Sequence, residues 1–316
     1  MNDSPDMSGL WGEIAKKLAD QWFSLLVLPG VLYLAVVTAA LILGHTHPFD
    51  ADLLAHRITT SAQNPTITST AGQITLLAAI LAGAGGIGLV AQSLGSATEY
   101  TVLSTGLQSW PAPARYVAQC LIANRRRRWA AADGVYRAEY DKALTPNPTD
   151  RPDPAVRHRA ARRRTRIAVE PPERPTWSSD RIHTAAVRLD RTYHLDLATV
   201  WPALWLLLPD PTRSAIAVAR TTLSQAATLA AWSLLYLPLA GWWWPAAPLS
   251  AILAFTARHR IRNATDTYAT LLETAVHLHA TTLATQLGVE NNGALTPPIG
   301  HALTHRLSTP LPLPDR

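Results

Sequence analysis

Residues 73–95 read QITLLAAILAGAGGIGLVAQSLG, a stretch without a single Asp, Glu, Lys or Arg. The hydrocarbon of a bilayer is about 30 Å thick and takes about 20 apolar helical residues to cross at 1.5 Å each, so this stretch is long enough. It also holds Gly83, Gly85 and Gly88 in the spacing G-x-G-x-x-G. Between a strand and a helix, such glycines allow a tight turn against a pyrophosphate, with an acid about 20 residues on to hold a ribose. Here the acid, Glu99, follows Gly88 by 11 residues, and no strand–helix alternation surrounds it. Small residues four apart give the same letters another meaning. Ala79/Gly83, Ala82/Gly86 and Ala84/Gly88 are pairs of the kind that let membrane helices pack closely. The expectation is therefore a spanning helix packed through these residues, with a dinucleotide-binding oxidoreductase kept as a remote alternative.

Two further charge-free gaps stand on either side of this one in the chain. Trp22 to Leu43, WFSLLVLPGVLYLAVVTAALIL, reads as a span, with a kink expected at Pro29-Gly30. A cleaved signal peptide would have an apolar core of only about 7–15 residues with small residues close behind. Thr221 to Ala257 is too long for one span and barely long enough for two. Pro238 and Gly241 before Trp242-Trp243-Trp244 mark a turn, and triple Trp suits the headgroup level. The reading is a hairpin, 217–237 and 242–258, whose second arm would rise only about 26 Å and need not cross completely.

The 316 residues are 16% charged, with a mean hydropathy of +0.05 and a net charge of +6. That mild mean averages apolar blocks with strongly charged ones. Residues 96–218 hold 19 of the 28 Lys and Arg against 12 Asp and Glu, whereas the loop 45–71 holds one Arg. Lys16 and Lys17 precede the first span, and Arg258, Arg260 and Arg262 follow the last. By the positive-inside rule these flanks are cytoplasmic. The expected fold is all-α, an integral protein of the bacterial inner membrane with about four spans and both termini inside.

The organisation follows. Residues 1–21 are an amphipathic N-terminal helix, 22–95 the first membrane pair, 96–213 a helical, basic cytoplasmic region, 214–258 the membrane hairpin, 259–287 a cytoplasmic amphipathic helix, and 288–316 a flexible tail. Within the cytoplasmic region 113–144 reads as a helix. Residues 145–177, with seven prolines, read as a linker. Ser178 or Ser179 is expected to cap a helix from Asp180 to about Tyr193. Leu195 to Leu208, with Trp201 and Trp205, is too short to span and is expected at the interface or re-entrant. The interface anchors are Trp22, Trp201, Trp205, Trp242, Trp243 and Trp244.

Arg125, Arg126, Arg127, Arg128 and Arg162, Arg163, Arg164 form two clusters. Nucleic acid would attract them, but no binding module accompanies them. Anionic lipid headgroups, at about 1 kcal/mol per basic residue, or simply a solvated face are the preferred reading, beside a protein partner or a second copy. Tyr268, Leu271, Leu272, Ala275, Leu278, Thr282 and Leu283 share one expected face of the last long helix, suited to such packing.

Catalytic and cofactor sites are not expected. His45 and His47 with Asp50 and Asp52 are the best metal cluster and a weak one. His277 and His279 point apart, and His301 and His305 fall in the tail. Cys120, the one cysteine, is expected to be a small buried hydrophobe. The spans lack the ionisable residues of a coupled transporter. An oligomeric channel or membrane-disrupting effector stays open, lined by Gln92, Ser93, Ser224, Gln225, Thr228 and Ser233.

Tyr193-x-Leu195-Asp196 followed by Trp201-Pro202-x-Leu204-Trp205-x-x-Leu208-Pro209, with Pro175-Thr176-Trp177 upstream, resembles uncharacterised bacterial multi-pass membrane proteins, largely actinobacterial. The resemblance covers roughly 8–44 and 165–290. It implies a membrane location and no activity.

Overall fold

The structure, a computed structural model, describes residues 27–63, 69–103, 111–144 and 153–308. Among these residues it holds ten α-helices and no strand. In chain order they are α1 Leu28–Leu43, α2 Ala51–Ala62, α3 Thr70–Leu103, α4 Ala112–Ala143, α5 Pro154–Ile167, α6 Trp177–Tyr193, α7 Leu197–Leu207, α8 Asp210–Tyr236, α9 Ala246–Gln286 and α10 Pro297–Leu307. A 3-10 turn, Pro238–Gly241, separates α8 from α9. The chain divides into two compact units, one of residues 1–98 with 225–258, the other of 99–224 with 259–316.

The first unit is built on close backbone approach. A Cβ added to Gly30 would lie 2.2 Å from the carbonyl oxygen of Ala84, and one added to Gly95 would lie 2.9 Å from Thr228 Oγ1. Ala84, Gly88, Ala91 and Gly95 are the buried face of α3, spaced at helical intervals. Pro29 stands in the first turn of α1 as described, where a missing N–H costs least. The residue beside it, expected to kink the span, is instead the point where α3 comes closest. A cluster of Ala40, Tyr236, Leu239 and Ala246 gathers Tyr33, Val36, Val37, Trp232 and Trp243 around it. Tyr33 closes it by donating to Leu235 O at 3.0 Å.

Two helices, over 70–101 and 210–241, are long and apolar enough to cross a membrane. α1 is apolar but 16 residues long as described, and residues 1–21 lie outside the described residues. The turn at 238–241 falls where it was expected. The helix after it runs unbroken to Gln286, so the expected arm 242–258 and amphipathic helix 259–287 are one element. The loop 45–71 carries α2, capped by Asp50, whose carboxylate accepts from Leu53 N at 2.8 Å. His47 and Asp50 thus belong to a turn and a cap rather than to a metal cage.

The second unit departs from the sequence reading at several places. The linker 145–177 contains α5. Its prolines cluster at 146–154 and 171–175, and the alanines and arginines between them are good helix formers. Pro154 takes the first turn and Asp153 caps it through Ala155 N. Residues 195–208 pack one side into the unit and leave Pro202 and Leu206 exposed on the other. Leu195, Val200, Leu204 and Leu208 are buried, and Leu204 shares a cluster with Val276, Ala280, Leu283, Ile299 and Leu303. Most of the tail is ordered: α10 rests on α6 and α7, and a Cβ at Gly300 would meet Tyr193 O at 2.0 Å. Of the face expected for 259–287, Leu272, Ala275 and Leu283 are buried and Tyr268 and Leu271 half-buried. Thr265, Ala269, Leu272, Val276, Ala280 and Leu283 are buried, while Leu278 and Thr282 are exposed. Alanines, too small to stand out in an apolar pattern, let the helix approach through that side. Cys120 is exposed too, because α4 turns Ala118 and Ile122 inward.

Candidate functional site

Consecutive residues of a helix are turned by 100°, so a run of arginines cannot face one way. The structure sorts both runs. On α4 the inward line is Ala118, Ile122, Arg125, Trp129 and Asp133. Arg125 donates to Thr176 O at 2.9 Å, Ile167 O at 2.7 Å and the Arg174 carbonyl, and pairs with Asp180 at 2.5 Å. Arg126 Nε donates to Pro172 O at 2.7 Å, and Trp129 Nε1 to Ala168 O at 3.1 Å. These bonds fix the 168–176 loop, whose carbonyls have no helix or sheet to satisfy them.

On α5 only Arg164 of its cluster turns in. It pairs with Asp133 at 3.0 Å and lies over the Tyr136 ring at 4.5 Å. Asp133 also pairs with Arg137 at 2.7 Å. Arg127, Arg128, Arg162 and Arg163 are exposed and enter no ion pair among the described residues. His158, Arg159 and Arg166 join Arg162 and Arg163 on the exposed side of α5, which itself contains no Asp or Glu.

α6 begins at this layer. Its cap is Thr176, whose hydroxyl accepts from Ser179 N at 3.1 Å. The expected caps Ser178 and Ser179 are instead buried within the first turn. Asp180 accepts from Glu173 N at 2.9 Å and Arg174 N at 2.7 Å. Burial pushes its pKa up, against the pull of Arg125 and the two amides, which oppose the shift without reversing it. Arg181 turns toward α9 and donates to Asp266 at 2.7 Å, Glu273 at 2.9 Å and Thr270 at 3.1 Å. Burial draws the Arg181 pKa down, but Asp266 and Glu273 outweigh it, and the net direction is up. Glu170 holds Arg188 at 2.9 Å. Arg262 stacks on Trp177 at 4.5 Å and donates to Arg166 O at 2.8 Å.

This layer ties α4, α5, the 168–176 loop, α6 and α9 by buried charge. Its carboxylates are engaged by arginines and amides, and Glu173 by His183 at 2.9 Å. Among the described residues no group of three His, Cys, Asp or Glu is placed to hold a metal. The arrangement fixes a shape and leaves a cationic face outside it.

The small residues of α3 separate as the arginines do. Ala84 and Gly88 are buried, Gly83 is half-buried with its Cβ position 3.4 Å from Leu34, and Ala79, Ala82 and Gly86 are exposed. One of the three expected pairs, Ala84/Gly88, therefore lies on the packed face. All three glycines of the G-x-G-x-x-G sit inside one continuous helix, without the strand-to-helix turn that gives that motif its phosphate-binding amides.

The tryptophans divide likewise. Trp22 lies outside the described residues. Trp243 is half-buried and donates to Pro48 O at 2.9 Å, whereas Trp242 and Trp244 are exposed, the latter edge-on to Phe49 at 5.7 Å. Trp201 and Trp205 are half-buried, rings 5.8 Å apart, against Leu208, Ile216 and Ala275 of the second unit. Of the polar residues proposed to line a channel, Ser93 and Ser233 donate back to carbonyls of their own helices, Leu89 O and Ala230 O.

Reading the sequence missed the Arg181 cluster. A signal was there: Asp266, Thr270 and Glu273 at i, i+4 and i+7 put three acceptors on one face of an otherwise mixed helix.

The chain matches no protein-family model, and neither a curated protein nor a solved structure matches it significantly.

Proposed function

We propose that this is a multi-pass protein of the bacterial inner membrane, with both termini cytoplasmic. Its second unit is a non-enzymatic interaction module that meets anionic lipid headgroups and a protein partner or second copy. One observation carries the reading. α3 is strongly apolar, yet only 17% of its most apolar window is buried. Ile74, Leu76, Leu77, Ile80, Leu81, Leu89 and Val90 are all substantially exposed. Half-burying seven such side chains is worth on the order of 10 kcal/mol, comparable to the whole net stability of a soluble domain. A bilayer removes that deficit.

The contact of Trp243 with Pro48 supports the topology. It joins the 44–50 loop to the hairpin turn, as expected if both lie on the outer side, and the exposed Phe49, Trp242 and Trp244 suit the headgroup level there. Outward Arg127, Arg128, Arg162 and Arg163 replace the full clusters as the headgroup-facing set, since Arg125 and Arg164 are engaged within the unit. The resemblance of the Tyr193–Pro209 stretch to bacterial multi-pass membrane proteins adds to the same reading.

The test is fractionation followed by capture. The chain should resist alkaline extraction and leave the membrane only in detergent, and an affinity-tagged form in mild detergent should retain a partner that Arg162→Glu/Arg163→Glu releases. Recovery in the soluble fraction would overturn the membrane reading. Sustained ion conductance of purified protein in liposomes would replace the scaffold with a channel.

A further inference from the structure

Among the described helices α2 alone has no buried residue. It has 12 residues, a side-chain cap from Asp50 and Asp52 in its first turn. Isolated helices of that length are marginal in water, so caps alone do not account for it. Its side chains are sorted nonetheless. Leu54 and Ile58, four residues apart, share one side, and His56 and Thr60 stand on the other, with Ile58 52% exposed. α2 leaves directly from Phe49, itself 72% exposed and edge-on to Trp244. Trp243 anchors the preceding turn at Pro48. Phe49, Trp242 and Trp244 thus present exposed aromatic rings where α2 begins.

We infer that α2 is an interfacial helix. Its Leu54/Ile58 side is seated at the boundary between headgroups and acyl chains, beside the aromatic rings of the hairpin turn. This rests on the membrane reading above. The chemistry selects the occupant. Asp52 and Arg57 cancel, so nothing in 51–62 seeks an anionic surface, in contrast to the arginine face of α5. Trp is enriched at that depth, Phe belongs to the apolar face of segments lying there, and an amphipathic helix beside them buries its apolar side about 5–10 Å into the boundary. The short connection supports it further: seven residues separate Leu43, the end of apolar α1, from Ala51, and α2 packs against α1.

The test places a bimane label on full-length protein in phosphatidylcholine vesicles. The exposed Cys120 is first replaced in Cys120→Ser, and Ile58→Cys, Thr60→Cys and Leu81→Cys are then made singly. A nitroxide lipid labelled near the headgroup should quench the Ile58 label at least about twofold more than the Thr60 label. Aqueous iodide should show the reverse order, and added anionic lipid should change neither. Equal iodide access at 58 and 60, with the Leu81 label quenched by a deep nitroxide lipid, overturns the inference and leaves the membrane reading standing. A label at 58 shielded from both iodide and nitroxide lipid also overturns it, because protein, such as a second copy, then covers α2. Iodide access at 81 overturns both.

Discussion

Replacing Asp180 with Ala removes the counter-charge of a guanidinium whose side chain is only 13% exposed. Arg125 would keep its three carbonyl acceptors but lose the one partner that carries charge. Breaking a buried pair in this way costs about 3–5 kcal/mol. Two amides, Glu173 N and Arg174 N, would also lose their acceptor, which puts Asp180→Ala at the upper end. Asp180→Asn keeps an acceptor for those amides and removes a carboxylate whose charge burial disfavours, so it should cost far less than Asp180→Ala. Arg125→Met combined with Asp180→Ala should cost less than the two singly, with a coupling of about 1–3 kcal/mol, because neither charge is then left alone. The assay is amide hydrogen exchange of 168–193 in the full chain, where protection should fall by about a hundredfold or more.

The pH dependence has a definite sign. A raised folded pKa means the folded state holds the Asp180 proton more tightly, so this group's contribution is fully present below its unfolded value of 3.8 and is lost as pH rises through the folded one. Wild type should therefore gain on Asp180→Asn as pH falls toward that range. Protection unchanged by Asp180→Ala, or singles that add without coupling, would refute the reasoning.

Other outcomes follow from named contacts. Gly30→Val should force α1 from Ala84 and lower the thermal stability of the detergent-solubilised protein by about 2 kcal/mol or more, whereas Gly86→Ala, in open space inside α3, should leave it unchanged or raise it by up to about 1 kcal/mol. Gly300→Ala should release α10, read as faster proteolysis after residue 290, since its Cβ cannot coexist with Tyr193 O. Arg162→Glu/Arg163→Glu should abolish any protection of α5 that anionic lipid confers in vesicles, and leave protection of α4 near Asp133 intact, because Arg164 alone bridges there.

Long-range features of the sequence were legible because they depend on sums. Three charge-free gaps and a turn at Pro238–Gly241 foretold an all-helical chain, and α4 was readable from its alanines. Signals that depend on one residue's direction were not. The proline count of 145–177 hid α5, since prolines that flank a helix and prolines that break it look alike until their positions are weighed. The clusters at 125–128 and 162–164 showed charge without showing that Arg125 and Arg164 face inward. That sorting needs Asp180 and Asp133, 55 and 31 residues away along the chain. The apolar run 195–208 was read as interfacial from its length and from Trp201 and Trp205. Its cover comes from 276–303, far along the chain. Gly30 was read for its backbone freedom when its use is the absence of a Cβ against Ala84.

The membrane claim is tested most directly by single cysteines placed from Ile74 to Gln92 in the Cys120→Ser background and exposed to an aqueous maleimide in native membranes. A spanning α3 predicts one unbroken block of about 20 unreactive positions, in which the exposed Leu77, Leu81 and Leu89 are as protected as the buried Ala84 and Ala91. Rapid labelling at 77, 81, 89 and 90 with protection only at 84, 88 and 91, the period of a helix packed on one side in water, would contradict it.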